Sequence, residues 1–383
     1  MSPARLTGAG LLLACAVTSA GGQQPRPRAL GIAPGTLAPG PRNAITDVAG
    51  VQVGQVTLIQ GDSVRTGITA ILPHPGNVFL DRVPAAIYVG NGFGKLLGVT
   101  QVAELGELET PILLTCTLCV WKAADAMVAY LLEQPGMEEV RSINPVIGET
   151  NDGLLNAIRQ RPITAEQVRQ ALTRAGSNVA EGSIGAGTGT TAFGWKGGIG
   201  TSSRRTGGSE NAWTVGVLVQ SNFGGDLHIL GVPVGRALGR RGVKPVTEPP
   251  GPRGSIMIVV ATDAPLSDRN LRRLAARALI GVARTGSVMD NGSGDYVIAF
   301  SANPEMRRRK SGPIGKTAEL GNEAMSDLFQ AAAEATEEAV YNSLLMATPV
   351  SSRSGTAEAL PRQEVLAILR RHRVLSLEGQ PQR

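Results

Sequence analysis

The sequence has few residues of the kinds that stack on nucleic acid bases or bind metals. Aromatic residues make up 3% of its 383 residues, and it contains only three histidines and three cysteines. Proteins that bind single-stranded nucleic acid use aromatic stacking surfaces, so this scarcity argues against a nucleic acid partner. The histidines and the cysteines beyond the N-terminal segment lie at spacings unrelated to zinc motifs. We therefore expect neither a metal nor an organic cofactor.

Residues 1–20 have the features of a signal peptide. A positively charged start precedes an apolar stretch at 6–17 that is too short to span a bilayer, and small residues at 18–20 form a cleavage site. We expect an exported protein, periplasmic or extracellular. Leu12-Leu-Ala-Cys15 also resembles a lipoprotein signal, so a lipid anchor at Cys15 is the alternative. No later segment has the ~18 uninterrupted apolar residues of a membrane helix.

The rest of the chain divides into a leader, a body and a tail. Residues 21–41 are rich in glycine, proline and glutamine and are typical of a leader. The body mixes strand-like and helix-like periodicities, which predicts an α/β protein in which helices flank sheets. Residues 351–383 form a tail that carries a candidate helix at 361–373. Strands are predicted at 43–50, 51–57, 66–72, 85–90, 213–219, 254–261 and 295–300. Further helices are predicted at 122–132, 164–175, 268–282 and 317–345.

Cys116 and Cys119 form an isolated CxxC motif. In an exported protein the motif is compatible with a redox pair or a disulfide. It lies in an apolar segment that runs into a predicted helix, and this context favours two small buried side chains.

A glycine-rich stretch at 181–204 is compatible with a loop that cradles phosphate. Its spacing matches neither the P-loop nor the dinucleotide-binding motif, and Gly90-Asn-Gly-Phe-Gly94 fails the same comparison. We do not expect a nucleotide ligand.

The junction between Gly254 and Ser255 is the most informative place in the sequence. A proline-rich polar linker at 243–253 ends there, and a strand that looks buried begins at Ser255. This arrangement is expected where cleavage of the preceding peptide bond creates an N-terminal nucleophile. A loop that simply enters a strand is the alternative.

The residues around this junction resemble the self-processing family of β-peptidyl aminopeptidases and D-aminopeptidase/esterases. The resemblance covers residues 43–347 in order and implies an N-terminal-nucleophile hydrolase with an α-β-β-α layered fold. It also implies cleavage into an α-chain at 42–254 and a β-chain at 255–350, and a tetramer of such αβ units. The matching motifs are Ile45-Thr-Asp-Val48, Gly92-Phe-Gly-Lys95, Glu149-Thr-Asn-Asp-Gly153, Lys196-Gly-Gly-Ile-Gly-Thr201, Gly216-Val-Leu-Val-Gln-Ser-Asn222, Ser255-Ile-Met-Ile-Val-Val-Ala-Thr-Asp-Ala-Pro-Leu266, Gly292-Ser-Gly-Asp295, Ala299-Phe-Ser301 and Glu338-Ala-Val-Tyr-Asn342.

The resemblance also implies catalytic roles for four residues. Ser255 matches the nucleophile, with Gly254 on the other side of the bond that is cut. Ser293 and Asp295 match a pair of supporting catalytic residues, and Asn222 matches a side chain of the oxyanion hole.

Two further residues occupy substrate-binding positions of the family. Glu149 resembles the carboxylate that holds the free amino group of the substrate. Asn151 is a departure, because some relatives have a tyrosine there that acts near the oxyanion.

An N-terminal serine suits a chain in which no histidine is placed for a conventional triad. Its α-amine has an unperturbed pKa of about 8, so a good fraction is neutral near neutral pH and can accept the proton of the serine hydroxyl. Cleavage of the bond before Ser255 would thus create both the base and the nucleophile.

We interpret the chain as an autoprocessed serine aminopeptidase or amidase that acts through an acyl-enzyme. It would release N-terminal residues, whether β-amino acids, D-Ala or small L-residues, from peptides, amides or esters that have a free amino end. One alternative is an unprocessed, non-catalytic binding protein of the envelope, which an intact mature chain would indicate. The other is a related self-cleaving acyltransferase, which would not hydrolyse substrate without an acceptor.

Overall fold

A computed structural model describes residues 24–207, 212–239, 254–309 and 317–375. The predicted signal peptide at 1–20, the lipid-anchor site Cys15 and the end of the tail at 376–383 lie outside the described residues. The strands are β1 (Gln52–Gln60), β2 (Val64–Leu72), β3 (Asp81–Gly92), β4 (Glu107–Leu108), β5 (Ile112–Cys116), β6 (Val146–Thr150), β7 (Thr191–Ala192), β8 (Trp195–Lys196), β9 (Gly198–Arg205), β10 (Thr214–Phe223), β11 (Gly254–Thr262), β12 (Gly294–Ser301), β13 (Arg308–Arg309), β14 (Val350–Ser352) and β15 (Gly355–Ala357). The helices are α1 (Val99–Leu105), α2 (Val120–Leu132), α3 (Ala165–Thr173), α4 (Val234–Ala237), α5 (Asp268–Arg284), α6 (Met325–Leu345) and α7 (Arg362–Arg371).

Two sheets make up the centre of the molecule. The larger has the strand order β13-β3-β12-β11-β10-β9, with β4 paired to the outer part of β3, and the smaller has the order β1-β2-β5-β6. In the larger sheet, β11 is parallel to β12 and antiparallel to β10. One sheet therefore contains strands from both sides of the junction at Ser255.

The layers follow from the period-two alternation of the buried strands. Ile256 and Ile258 of β11 face a core shared with α5 and α6, whereas Met257 and Val259 face the smaller sheet. The opposite face of the smaller sheet packs on α2 and α3, where Ile147 is buried. The architecture is α-β-β-α, as the family resemblance implies, and the predicted fold class is confirmed.

The helices begin where local chemistry favours them. Thr164 and Gln167 form a capping box at the start of α3, in which the Thr164 hydroxyl accepts the Gln167 N–H. Helix α5 has Asp268 in its first turn and Arg284 in its last, which suits the helix dipole. Helix α6 is buried along nearly its whole length because its many alanines allow close packing on the larger sheet and α5.

The structure corrects two of the predicted elements. Residues 43–50 form a 3-10 turn at Ile45–Asp47 rather than a strand, because the Asp47 carboxylate accepts the Ala44 N–H. Helix α6 begins at Met325, later than the predicted start at 317. The Glu319 side chain bonds to Ser267 and Asn270, which holds the segment before the helix against the start of α5.

Cys116 and Cys119 are both buried, as expected, but they are not two separate thiols. A 3-10 turn at Thr117–Cys119 brings their Cα atoms to 5.1 Å, within the span of a disulfide, and the two sulfurs are bonded.

Both ends of the described chain pack on the body. Ile32, within the predicted leader, lies fully buried in the core beside α6. The final helix α7, predicted at 361–373, buries Val365 and Leu369 in the same core. In the parts of the chain that the structure describes, no helix is both long and apolar enough to cross a membrane.

Candidate active site

Ser255 is the second residue of β11 and is buried near one end of the larger sheet. Its hydroxyl donates a hydrogen bond of 2.5 Å to the carbonyl oxygen of Gly254, the residue on the other side of the predicted cleavage bond. The Gly294 N–H donates to the same Oγ at 3.3 Å. The hydroxyl therefore lies against the carbonyl group that a self-cleavage reaction would attack.

Gly254 occupies a position where other residues would be strained. Its φ of 128° lies in the left-handed region, and a Cβ atom there would lie 2.6 Å from the Cα of Phe223. The close approach of β10 thus requires glycine at this position.

Asn222 lies directly opposite Ser255 on the neighbouring antiparallel strand β10. Side chains of such a register pair project from the same face of a sheet. The Asn222 Oδ1 accepts the Thr191 N–H at 2.9 Å, and Nδ2 donates to the Asn151 carbonyl oxygen at 3.0 Å. An amide nitrogen carries two hydrogens, so Nδ2 keeps one for a further acceptor.

Ser293 and Asp295 flank the start of β12, which runs parallel to β11. The Ser293 hydroxyl donates to Asp295 Oδ1 at 2.6 Å, while the buried Asp295 Oδ2 lacks a hydrogen-bond partner among the described residues. Burial raises the pKa of Asp295 to about 6, although the hydrogen bond from Ser293 opposes the rise. Gly294, between the two, contacts Ser255 Oγ. The loop therefore brings a hydrogen-bonded serine–aspartate pair next to the nucleophile.

Glu149 reaches the site from β6 of the smaller sheet. Its Oε1 accepts the backbone N–H of Lys95 at 2.9 Å and lies 3.4 Å from the Lys95 ammonium. Its Oε2 is buried, and no group in the described residues bonds to it. A fixed carboxylate with one free oxygen is suited to bind an ammonium group.

Two glycines lie between Glu149 and Ser255. A Cβ on Gly294 would lie 3.2 Å from Ser255 Oγ and 2.8 Å from the Cα of Gly94, and one on Gly94 would lie 3.3 Å from Glu149 Oε1. The two backbones are in contact, so Glu149 and the nucleophile are separated by little more than these two residues. This separation suits a substrate whose amino group is close to its reactive carbonyl.

Asn151 contributes its backbone carbonyl to the site, and its side chain bonds within its own turn. The carbonyl oxygen accepts from Asn222 Nδ2, whereas the Asn151 side chain accepts the Gly153 N–H at 3.0 Å. The structure thus brings together Ser255, Asn222, Ser293, Asp295 and Glu149, and it places the Asn151 carbonyl beside Asn222.

The sequence did not reveal several residues that organise this site. The Asn91 amide donates to the carbonyl oxygens of Ser293 and Asp290, which fixes the loop before β12. Lys95 also bonds to Thr117 Oγ1 at 2.8 Å beside the disulfide. The only sequence signal for Asn91 and Lys95 is the family motif Gly92-Phe-Gly-Lys95, which directly follows Asn91 and ends with Lys95.

Comparisons with known proteins agree with this geometry. The model of peptidase family S58 matches residues 43–358. A β-peptidyl aminopeptidase of Sphingosinicella microcystinivorans is 39% identical over 393 residues, which is 96% of this chain and 97% of that protein.

Two solved structures are similar over nearly their whole length. A β-aminopeptidase of Burkholderia sp. has a TM-score of 0.82 at 39% identity and covers 93% of this chain and 100% of its own. The L-aminopeptidase D-Ala-esterase/amidase of Ochrobactrum anthropi has a TM-score of 0.85 at 36% identity, covers 92% and 100%, and is described as a prototype serine aminopeptidase with a variant Ntn hydrolase fold.

Proposed function

Since the chain belongs to peptidase family S58 and is a serine aminopeptidase of the N-terminal-nucleophile type, we propose that it activates itself by cleaving the bond between Gly254 and Ser255. The observation that carries this proposal is the 2.5 Å contact between the Ser255 hydroxyl and the Gly254 carbonyl oxygen. Attack of Oγ on that carbonyl carbon would break the peptide bond, leave an ester and free the α-amine. Water would then hydrolyse the ester.

The two fragments would stay together because they share one sheet. Strand β10 of the first fragment pairs with β11 of the second, and β3 of the first pairs with β12 of the second. Each pair is buried in the core on both faces. Separating the fragments would require the larger sheet to come apart.

In turnover, the new amine of Ser255 would take the proton of its own hydroxyl as Oγ attacks the substrate carbonyl. Ser293 and Asp295 would favour the protonated amine, because the Asp295 carboxylate is close by and one of its oxygens is unpartnered. The free hydrogen of Asn222 Nδ2 would bind the oxyanion of the tetrahedral intermediate. An acyl-enzyme on Ser255 would follow, and water would release the acid.

Glu149 would select substrates with a free amino end. The support is its buried Oε2, which lacks a partner in the described chain, and its position across Gly94 and Gly294 from Ser255. An acylated amino group carries no positive charge and keeps only one N–H, so its hydrogen bond to this carboxylate oxygen would be weaker, which disfavours binding. The enzyme would thus remove N-terminal residues and spare blocked peptides.

The substrate class follows from the names of the relatives and is part of our proposal. These proteins are named for β-peptides, L-amino acid substrates and D-Ala esters and amides. We propose that this chain releases β-amino acids, D-Ala or small L-residues from short peptides, amides or esters. The test compares kcat/KM for the p-nitroanilides of β-Ala, D-Ala and L-Ala with that for their N-acetyl forms. Hydrolysis of the free-amine compounds alone is expected, and equal hydrolysis of the acetylated forms would contradict the role of Glu149.

We further propose export and assembly. The support for export is the sequence of residues 1–20 alone, with Cys15 as the alternative lipid-anchor site. N-terminal sequencing of the mature protein distinguishes a start after residue 20 from an acylated start at Cys15. The proposed assembly is a tetramer of αβ units, which light scattering on the purified protein tests.

A further inference from the structure

Lys196 is a fully buried lysine whose ammonium binds only backbone. It ends the short strand β8, and its Nζ donates to the carbonyl oxygens of Gly187, Thr190 and Gly197 at 2.8, 2.9 and 2.9 Å. An ammonium has three hydrogens, so these three carbonyls use all of them. Burial of a cation is unfavourable unless the cation is hydrogen-bonded, and these three carbonyls meet that condition.

The segment held by this ammonium leads directly to Asn222. Thr190 accepts both the Lys196 ammonium and the Gly197 N–H, so its peptide group is fixed from two directions. The next residue, Thr191, pairs with Lys196 in the hairpin β7–β8 and donates its N–H to Asn222 Oδ1. The carbonyl bound by Lys196 and the N–H that holds the Asn222 side chain thus belong to one and the same peptide group.

The Thr191 N–H sets the orientation of the Asn222 side-chain amide, that is, the positions of its oxygen and its nitrogen. The two ends of an asparagine amide have nearly the same shape, but a donor N–H can be satisfied only by the oxygen. Oδ1 must therefore face Thr191, and Nδ2 then faces the side of the Asn151 carbonyl. If Thr191 moved, the amide could rotate and present an oxygen, which repels an oxyanion.

We propose that Lys196 is a positioning residue that fixes the amide of Asn222 in its donating orientation. This inference rests on the proposed role of Asn222 in binding the oxyanion. It gives a role to the lysine of the Lys196-Gly-Gly-Ile-Gly-Thr201 motif, in which Gly197 allows the close approach of Ser221 on β10.

The experiment is a double-mutant cycle on the full chain. Lys196→Met replaces the aliphatic part of the side chain and removes the ammonium, Asn222→Ala removes the amide, and the third variant carries both changes. For each, kcat and KM are measured per cleaved chain. Lys122→Met is the matched control, because Lys122 is exposed and its ammonium also binds a backbone carbonyl, that of Arg161.

We expect Lys196→Met to lower kcat by about tenfold or more, with KM changed by less than about threefold, since loss of an oxyanion donor costs about a hundredfold or more. In the Asn222→Ala background the same change should have almost no further effect. An equal loss in both backgrounds, or a wild-type kcat in Lys196→Met, would overturn the inference. If instead Asn222→Ala alone keeps full activity, the proposed role of Asn222 fails first.

Two provisions keep the cycle decisive. If Lys196→Met does not fold, as judged by circular dichroism, Lys196→Gln replaces it, because the glutamine amide can still donate to two of the carbonyls. If the variants fold but are cleaved too slowly to give mature enzyme, the cycle is scored on their rates of self-cleavage. Coupling between the two substitutions supports the inference and additivity contradicts it.

Discussion

Asn222 and Ser255 face each other across the antiparallel pair β10–β11, and they stand on opposite sides of the bond we propose is cut. Asn222 comes from the segment before the junction, and Ser255 begins the segment after it. The register of one strand pair therefore sets the position of the proposed oxyanion donor relative to the nucleophile. The buried strand cores fix this register, because a shift by one residue would turn every side chain to the other face.

Replacement of Asn222 by alanine should lower kcat about a hundred- to a thousandfold and leave KM nearly unchanged. The lost hydrogen bond forms only with the oxyanion, so its absence raises the barrier without weakening substrate binding. Steady-state kinetics on cleaved enzyme measures the effect, with the exposed Asn178→Ala as control. A rise in KM at constant kcat would place Asn222 in substrate binding instead.

Replacement of Glu149 by glutamine should lower kcat/KM for free-amine substrates about ten- to a hundredfold. A hydrogen bond between two charged groups contributes about 1.5–3 kcal/mol, and glutamine keeps the shape while losing the charge. The ratio of kcat/KM for free-amine substrates to kcat/KM for N-acetylated substrates should fall by the same factor. Glu139, whose side chain is 91% exposed, provides the matched Glu139→Gln control. An unchanged preference would show that the substrate ammonium binds elsewhere.

Self-cleavage should slow as the pH falls through about 6. Burial raises the pKa of Asp295 to about 6 in the uncut chain, so its carboxylate becomes protonated below that pH and can no longer accept a proton through Ser293. To measure the rate, freshly translated precursor is transferred to buffers from about pH 4.5 to about pH 8, and its cleavage is followed by gel densitometry. Asp295→Asn should be slow at every pH. Persistence of the same acid limb in that variant would assign it to another group.

Replacement of Glu338 by alanine should lower the free energy of unfolding by about 3 kcal/mol at neutral pH, because it removes the partner of Arg28 and one of the two carboxylates that pair with the buried Arg204. Glu338 is fully buried and accepts hydrogen bonds from Arg28, Arg204 and Asn43. Urea denaturation in the uncut Ser255→Ala background measures the loss without fragment dissociation. The exposed Glu323→Ala is the control, and equal stabilities of the two variants would contradict the prediction.

The pH dependence of this contribution has a definite sign. Burial by itself raises the pKa of Glu338, but the hydrogen bond from Arg28 and the charge of Arg204 outweigh it, and the pKa lies below its usual value. The group therefore stabilises the fold above the unfolded-state pKa of 4.5, and the stabilisation is lost as the pH falls through the lower folded value. In acid, the difference in the free energy of unfolding between Glu338→Ala and its parent should therefore become smaller.

The layered fold and the location of the nucleophile could be predicted from sequence because both depend on local patterns. Strand β11 alternates between two cores, and the capping box at Thr164 marks the start of α3. The error at residues 43–50 arose because alternating apolar residues also fit a 3-10 turn that an aspartate stabilises.

The supporting contacts of the site could not be predicted, because they join residues far apart in the chain. Asn91 bonds to Ser293 across 202 residues, and Thr191 bonds to Asn222 across 31. Each contact depends on how strands pair, and a single asparagine or threonine in a sequence carries no sign of its partner. The disulfide could not be predicted either, because the sequence alone does not show that the turn at Thr117–Cys119 brings the two cysteines within bonding distance.

Self-cleavage at Ser255 is tested most directly by the intact mass of the purified mature protein under denaturing conditions, measured beside that of Ser255→Ala. Self-cleavage should give two fragments, the smaller beginning at Ser255, and a single uncut chain in the variant. An uncut chain in the unmodified protein would contradict self-cleavage, because Ser255 would have no free α-amine to act as base. A non-catalytic envelope binding protein would then be the better interpretation.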